Sequence, residues 1–446
     1  MCNRMLRTIA LLACTLVAVL PITFPTTSPA AAQTTAGTIA YVRADTEDEI
    51  RLIAPDGRDD RRLWAHGLAD PNEVMYIYNL AWRPDASELA FASTHENTCS
   101  INHSDIFAVR PNGSGYRRIT QAPACAALAA YPKGIVKVPV KNVSIFSTLF
   151  GFVYFQGASS LQPVVLPPGG STVVTFNDVA DFGPDVLQRA AIIDDPNRDY
   201  PVESVVDVQA GRTVTTAGVA VTPPSIIALE AHAPTWRSDG GSLSYVYGAS
   251  LYNITANPKP IDFGRPVIDP DPSPGTVSYM AYGPATRANQ ILFQGDSDED
   301  GQSIFLATEG ATTLGQPLVS HGYLLIRGLA WLPDGSGFVY AVEEEVDFDV
   351  SRANLFEYSF ASKQTRRLTN FTNTFAGQLS VSPDGKQIVF DRATAKDDSG
   401  TADVWIMNRD GSGQRLLASN AYAPAWSPRA LPAALSHHAY LPLTRR

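Results

Sequence analysis

The stretch "LSVSPDGKQIVFDR", Leu379 to Arg392, decides the fold. It reads as an apolar strand, a tight Ser-Pro-Asp-Gly turn and a second strand of alternating apolar residues. The turn residues suit a hairpin, because Asp bonds its own backbone and Gly supplies positive φ. A second strand pair follows in "DVWIMNRDGSGQRLLA", Asp403 to Ala418, again joined by a turn rich in Asp and Gly. Together they make one unit of four short antiparallel strands.

The unit repeats. "LAWRPDASELAFAS" from Leu80, "PTWRSDGGSLSYVYG" from Pro234 and "LAWLPDGSGFVYAVE" from Leu329 match its first half. "DIFAVRPNGSGYRRIT" from Asp105, "NLFEYSFASKQTRRLT" from Asn354 and "EIRLIAPDGRDDRRLW" from Glu49 match its second half. Trp331 to Val381 is 50 residues and Val381 to Trp426 is 45. Four strands at that period mean propeller blades. Units centred on Trp82, Trp236, Trp331 and Val381 are clear, and a weaker one, from about Thr276 to Leu318, holds "NQILFQ" and "SIFLAT". The sixth is composite: "TIAYV" from Thr38 lacks an inner strand, and "APAWSPR" from Ala423 lacks outer ones. The sequence therefore predicts an all-β, six-bladed β-propeller closed by pairing of its N- and C-terminal strands, which leaves no open sheet edge at the seam. Trp82, Trp236, Trp331 and Trp426 share one place on innermost strands, so they read as blade core rather than as an aromatic ligand platform.

These residues carry a resemblance. "SPDGKQIVF" followed by "DVWIMNRDGSGQRLL" resembles the TolB-type propeller repeat, also called the WD40-like or PD40 repeat. The resemblance implies the fold; similar blades serve envelope-binding proteins, peptidase propellers and carbohydrate-active proteins, so it leaves the function open. TolB carries an α/β domain ahead of its propeller, whereas here the first blade strand lies close to the start, so a TolB role in envelope integrity is not carried over.

Residues 121–230 interrupt the period. They hold alternating or β-branched runs: "GIVKVPV" from Gly134, "FGFVYFQ" from Phe150, "STVVTF" from Ser171, "SVVDVQ" from Ser204 and "RTVTTAGVAV" from Arg212. An inserted β-sandwich-like module is expected, loosely similar to Ig-like or carboxypeptidase-regulatory-like domains, with a short helix through "DVLQRAAI" after Gly183-Pro184. The alternative is an elaborated loop without its own core. The expected organisation is 1–32 signal peptide, 33–120 blades 1 and 2, 121–230 inserted module, 231–428 blades 3 to 6 with the closing strand, and 429–446 tail. The insert leaves an outermost strand and returns to an innermost one. That puts it on the same face as the hairpins joining second and third strands, and makes that face the expected recognition surface.

The start reads as an export signal: Arg4 and Arg7, an apolar run from Ile9 to Leu20, and Ala30-Ala31-Ala32 before Gln33. Leu11-Leu12-Ala13-Cys14 also resembles a lipobox, so lipidation at Cys14 is the alternative to cleavage. No later run is long and apolar enough to span a membrane. A periplasmic, cell-surface or secreted protein is expected. Of four cysteines, Cys99 and Cys125 lie beyond the signal. A disulfide between them closes a loop of about 25 residues, worth about 3 kcal/mol in the chain-entropy view. His95 and His103 flank Cys99 but lack zinc-type spacing. Without residues 1–32 the chain has 32 basic and 44 acidic side chains, a net charge of −12. Such a surface repels nucleic acid.

"GDSDEDGQS", Gly295 to Ser303, places Asp296, Asp298 and Asp300 at alternate positions before Gly301, as a calcium loop begins. Its ninth and twelfth positions are Ile304 and Ala307, so the late acidic ligand is missing, and an acidic blade hairpin is the favoured reading. His437-His438 lack a third ligand and read as tail. The pairs Arg61-Arg62, Arg117-Arg118 and Arg366-Arg367 recur on outermost strands and read as a solvated rim. No G-x-S-x-G elbow occurs and no hydrolase domain is left over. The favoured reading is a monomeric scaffold without a cofactor that binds an envelope or extracellular protein or glycan. The alternative is a propeller hydrolase or lyase with a carboxylate-based site at its mouth.

Overall fold

A computed structural model describes residues 37–431, apart from residues 45–46, 68–75, 97–98, 101, 196–197, 222–229, 248–249, 263, 268–276, 298–300, 314, 347–348 and 396–400. The expected signal segment, including Cys14, and His437-His438 lie outside the described residues. The described residues fall within one compact unit.

Six four-stranded blades make the ring, and a parallel bridge between Ala353 and Phe375 joins blades 5 and 6 into one eight-stranded sheet. Blade 1 is Ala421–Trp426, Ile39–Ala44, Asp48–Ile53 and Arg61–Ala65, from the inside outward. Blade 2 is Ile77–Trp82, Leu89–Ser93, Asp105–Val109 and Arg117–Arg118. Blade 3 begins at Ala231–Trp236, blade 4 at Val277–Tyr282, blade 5 at Ile326–Trp331 and blade 6 at Phe375–Val381. In blade 1 the strand Ala421–Trp426 pairs antiparallel with Ile39–Ala44, so the two ends of the described chain share a sheet.

The innermost strands hold neighbouring blades together through one repeated contact. The indole Nε1 of Trp82 donates to the Ala425 carbonyl of blade 1 (3.1 Å), that of Trp236 to Ala81 of blade 2 (3.2 Å), and that of Trp331 to Ala281 of blade 4 (2.8 Å). Each ring is buried between blades while its one donor meets a backbone carbonyl, the arrangement a buried indole needs. Tyr282 and Val381 take the tryptophan position in blades 4 and 6. There the seams use other atoms: the Tyr282 amide donates to Thr235 Oγ1, and the Trp426 amide of blade 1 donates to Ser380 Oγ of blade 6, both at 3.0 Å.

The insert has its own core. One sheet orders Gln162–Leu166, Leu149–Phe155, Leu187–Asp195 and Arg198–Asp207. The other holds Ser171–Ala180, Lys133–Asn142 and the short strands Thr213–Thr215 and Val219–Val221. Val136, Val138 and Val140 from the second sheet meet Leu149, Val153, Phe155 and Ile192 from the first, all nearly inaccessible. This is a β-sandwich, with alternate residues facing inward. The helix expected through "DVLQRAAI" is absent. Leu187–Asp195 is a strand paired on both sides, with Leu149–Phe155 and with Arg198–Asp207. Ala190 and Ile192 enter the core from it, so tertiary pairing overrides local helix preference. "RTVTTAGVAV" folds as two short strands on either side of Gly218 (φ 98°), and both run parallel to Lys133–Asn142.

The seam contact makes a graded prediction for equilibrium urea unfolding. Trp236→Phe keeps a ring but orphans the Ala81 carbonyl, and should cost about 1–2 kcal/mol. Trp236→Ala also leaves a cavity and should cost about 3–5 kcal/mol. Equal small losses in both variants would show that the indole does not brace the seam.

Candidate functional site at the propeller mouth

Every innermost strand carries a register shift shortly before its tryptophan-equivalent position. The shifts fall at Tyr78/Ala81, His232/Thr235, Val277/Met280, Ile326/Gly328 and Ala376/Leu379, and in blade 1 where Ala40 and Val42 face Ala425 and Tyr422. Three residues before the tryptophan, Asn79, Ala233 and Ala423 adopt φ of 55°, 48° and 50°. A bulge breaks the ladder and turns amides away from the sheet. Those amides must find other acceptors, and neighbouring blades supply them.

The acceptors are the polar side chains of the mouth. Asp391 Oδ2 accepts the Ala423 amide (2.9 Å) across the blade 6 to blade 1 seam. Asn79 Oδ1 accepts the Ala233 amide (3.2 Å) across the blade 2 to blade 3 seam. Asp48 Oδ2 accepts the Ile77 amide (3.0 Å) across the blade 1 to blade 2 seam, and the Tyr422 hydroxyl lies 2.5 Å from the same oxygen. The Asn79 amide group also donates to Gln378 Oε1 of blade 6 (3.2 Å), linking two blades that are not neighbours. Arg327 is paired with Glu343 at 2.7 Å. The glycine at 377 is required, because a Cβ there would collide with Asp391 Oδ1.

Around these groups lies a cavity of 570 Å³ lined by tyrosines 76, 78, 279 and 422 together with His232 and Arg327. It opens where the innermost strands begin, on the face bearing the connections between second and third strands. Tyr76 is 53% exposed at its rim. Tyr323 and Leu325, ahead of the innermost strand of blade 5, are also exposed.

Two carboxylates here titrate abnormally. Burial pushes Asp391 up to about 6, against the pull of the Ala423 amide and of Arg327. Burial also raises Asp48, with Tyr422 and the Ile77 amide opposing. Perturbed carboxylates in a cleft are what a general acid needs. Here, however, the same oxygens already hold backbone amides. His232 is shifted down by burial, so it stays neutral near pH 7.

The insert stands on this face. Cys99 and Cys125 form a disulfide with Cα atoms 6.0 Å apart, tying the loop after the second strand of blade 2 to the start of the insert. The Tyr154 hydroxyl of the insert donates to the Cys99 carbonyl (3.0 Å), and Gln156 Nε2 donates to Gln121 Oε1 (3.2 Å). Beneath lies Arg118, which departs from the solvated rim expected of the arginine pairs. It is 4% exposed, pairs with Glu96 (3.5 Å) and Asp105 (3.8 Å), and donates to the carbonyls of Gln121 and Pro123. An arginine can sit there because several acceptors compensate its lost hydration. Glu96 also accepts the Cys125 amide (3.1 Å) and the Tyr116 hydroxyl (3.1 Å). Since Tyr116 donates to Glu96, the neighbouring His95 Nε2 donates to the tyrosine oxygen and Nδ1 accepts from Ser93. Burial takes His95 down to about 2, with His66 and Arg118 adding to the shift.

The other residues singled out by sequence lie elsewhere. Trp82, Trp236, Trp331 and Trp426 are at most 8% exposed and pack within and between blades. Asp296 faces Gln302 in the ladder between Gln290–Ser297 and Gly301–Thr308, so its backbone belongs to a hairpin. Asp298 and Asp300 lie outside the described residues. Ile304 and Ala307 point into the blade core. Sequence reading missed Asp48, Asn79, Asp391 and the Arg118 cluster. Asp391 had one available signal, since it ends the alternating strand "QIVFDR" where an apolar residue is due.

The Asp391 shift fixes the sign of a pH effect. Its folded value exceeds the unfolded one, so its contribution is complete below 3.8 and is lost as pH rises through about 6. A rise from 3.8 to about 6 corresponds to about 3 kcal/mol. The stability of wild type minus that of Asp391→Asn should therefore fall by up to about 3 kcal/mol across this window in urea melts. A flat difference would show Asp391 to be solvated.

No family model matches the chain. It is 33% identical over 114 residues to the Tol-Pal system protein TolB of Anaeromyxobacter dehalogenans strain 2CP-C, and 32% identical to that of strain 2CP-1. The match covers 25% of this chain and spans 24% of the length of these relatives. Among solved structures, TolB from Acinetobacter baumannii aligns over 88% of this chain and 67% of its own, at 14% identity and TM-score 0.47. The periplasmic gluconolactonase PpgL of Pseudomonas aeruginosa aligns over 87% and 97%, at 14% identity and TM-score 0.40. Blade repeat, sheet order and the curated sequence match agree: the chain is a TolB-like six-bladed β-propeller with a β-sandwich module inserted between its second and third blades.

Proposed function

We propose that this protein is an exported binding scaffold that takes a protein or glycan partner on its mouth face. One observation carries the reading: the mouth carboxylates and amides are engaged in holding the blades. Asp391, Asp48 and Asn79 each accept a backbone amide from the next blade. A group that fixes the scaffold is poorly placed to shuttle protons, while it gives the surrounding surface a fixed shape. Exposed Tyr76, Tyr323 and Leu325 provide adhesive area on that face, and the insert stands beside them. Export follows from the basic start, the apolar run and the small residues before Gln33. A disulfide suits an oxidising compartment. Among the described residues no helix is long and apolar enough to cross a membrane.

A second reading rests on the raised pKa of Asp391 and of Asp48, which suits a hydrolase or lyase acting on a glycan. The two readings separate in one comparison. Immobilised chain from Gln33 onward is challenged with envelope extract and with glycan arrays, beside Tyr76→Ala/Tyr323→Asp. Retention by wild type and its loss in the double variant is the expected result. Turnover of a glycan that Asp391→Asn abolishes, with no retained partner, would replace the scaffold reading by the enzymatic one.

A further inference from the structure

The inserted module ends in an apolar apex that nothing in the mouth explains. Among the described residues, Phe146 is 87% exposed and Ile145 is 75% exposed, the two highest values for large apolar side chains. Of twelve such exposed side chains, Val143, Ile145, Phe146, Phe150, Val165 and Val173 lie within one stretch of the insert. Strand register brings them to one end of it. Phe150 faces Val165 across the first sheet, and Ser171, two residues from Val173, faces Lys141 across the second. All are within a few residues of the loops that close this end.

The apex is held in shape. Asn142 is fully buried, and its Nδ2 lies within hydrogen-bond distance of the carbonyls of Ser147, Leu166 and Pro167 at 2.8–3.2 Å. Its Oδ1 accepts the Ser144 amide (3.0 Å). Ser144 Oγ accepts the amides of Phe146 and Ser147, and the Ser144 carbonyl accepts the Gly169 amide. Exposed apolar side chains on an ordered loop forgo the gain that burial would give. A convex apex with two neighbouring apolar side chains cannot form a pocket for a small ligand. It suits penetration into a soft apolar medium.

Charge favours a particular surface. From residue 121 to residue 177 the sequence holds Lys133, Lys137 and Lys141 and no acidic residue, in a chain of net charge −10. Lys137 and Lys141 are exposed and alternate with the core valines, so they share the outer face of the second sheet, beside the apex. The hairpin between Leu187–Asp195 and Arg198–Asp207 closes the same end and carries Asp194, Asp195 and Asp199 beside Arg198. Apolar insertion must therefore supply most of the contact, with the lysines adding a local preference for anionic headgroups.

We propose that this apex is a lipid-docking finger: Ile145 and Phe146 enter the interfacial layer of a phospholipid bilayer while Lys137 and Lys141 face anionic headgroups. The finger would hold the propeller beside a membrane without a spanning segment. It does not depend on what the mouth binds.

The test uses the chain from Gln33 onward, which lacks the apolar leader and retains the compact unit. It is sedimented with vesicles of phosphatidylcholine alone or mixed with phosphatidylglycerol. Wild type should co-sediment with the mixed vesicles, and Ile145→Asp/Phe146→Asp should weaken this about tenfold or more with an unchanged melting temperature. Lys137→Gln/Lys141→Gln should reduce the preference for phosphatidylglycerol. As a second readout, Phe146→Trp should show a blue-shifted emission on adding vesicles. No sedimentation with either vesicle, or wild-type binding by the aspartate pair, would overturn the proposal. So would an apex-dependent complex with an envelope protein formed without lipid.

Discussion

Ring closure constrains everything else in this molecule. A propeller is a sheet array bent into a circle, and it is stable as a ring only if its last blade is joined to its first. Here the joint is the pairing of Ala421–Trp426 with Ile39–Ala44 inside one blade. Once the ring is closed, six innermost strands are crowded around one axis. Crowding forces a choice at each strand: continue the ladder, or bulge and hand an amide to a neighbour. The register shifts show that all six depart from a regular ladder near the mouth.

The mouth follows from that crowding. The bulged Ala233 and Ala423 amides need acceptors, and Asn79 and Asp391 on adjoining blades supply them, while Asp48 holds the ladder residue Ile77 in the same way. The raised pKa of Asp391 and of Asp48 is a consequence of burying these braces. Acid–base chemistry and structural bracing thus leave the same electrostatic mark, and the hydrogen-bond partners distinguish them. On the same face, the Arg118 cluster does for the insert what the aspartates do for the ring. It gathers Glu96, Asp105 and the carbonyls around Cys99 and Pro123 into a buried base. The disulfide and Tyr154 then fix the module to blade 2.

Much of the fold was legible because each blade repeats turn chemistry. Ser-Pro-Asp-Gly and Asp-Gly-Ser-Gly turns mark hairpins whatever surrounds them. Trp82, Trp236, Trp331 and Trp426 then give the register. The insert was legible as β-rich from its alternating runs, but "DVLQRAAI" misled. Its Leu, Gln, Arg and Ala favour a helix locally, and only strands far away in sequence pair it into a sheet. The mouth was less legible still. Asp48 and Asp391 resemble other acidic residues of the hairpins, and the amides they hold come from other blades, at separations of 29 and 32 residues. Arg118 shared a pattern with Arg62 and Arg367, both exposed, but it is buried among Glu96, Asp105 and the carbonyls of Gln121 and Pro123. In "GDSDEDGQS" Asp296 sits in a strand ladder, while Asp298 and Asp300 lie outside the described residues.

Mouth side chains clamp backbone amides of the neighbouring blades and so give this face a fixed shape. Site-resolved hydrogen exchange on the chain from Gln33 onward tests it most directly. The amides of Ala233 and Ala423 fall at register shifts and that of Ile77 begins the innermost strand of blade 2, and each donates to a side chain of the neighbouring blade. These amides are expected to exchange as slowly as amides in the blade cores, and Asp391→Ala is expected to accelerate Ala423 alone. Fast exchange at all three amides, beside protected cores, would contradict it, because the carboxylates would then be free for other chemistry.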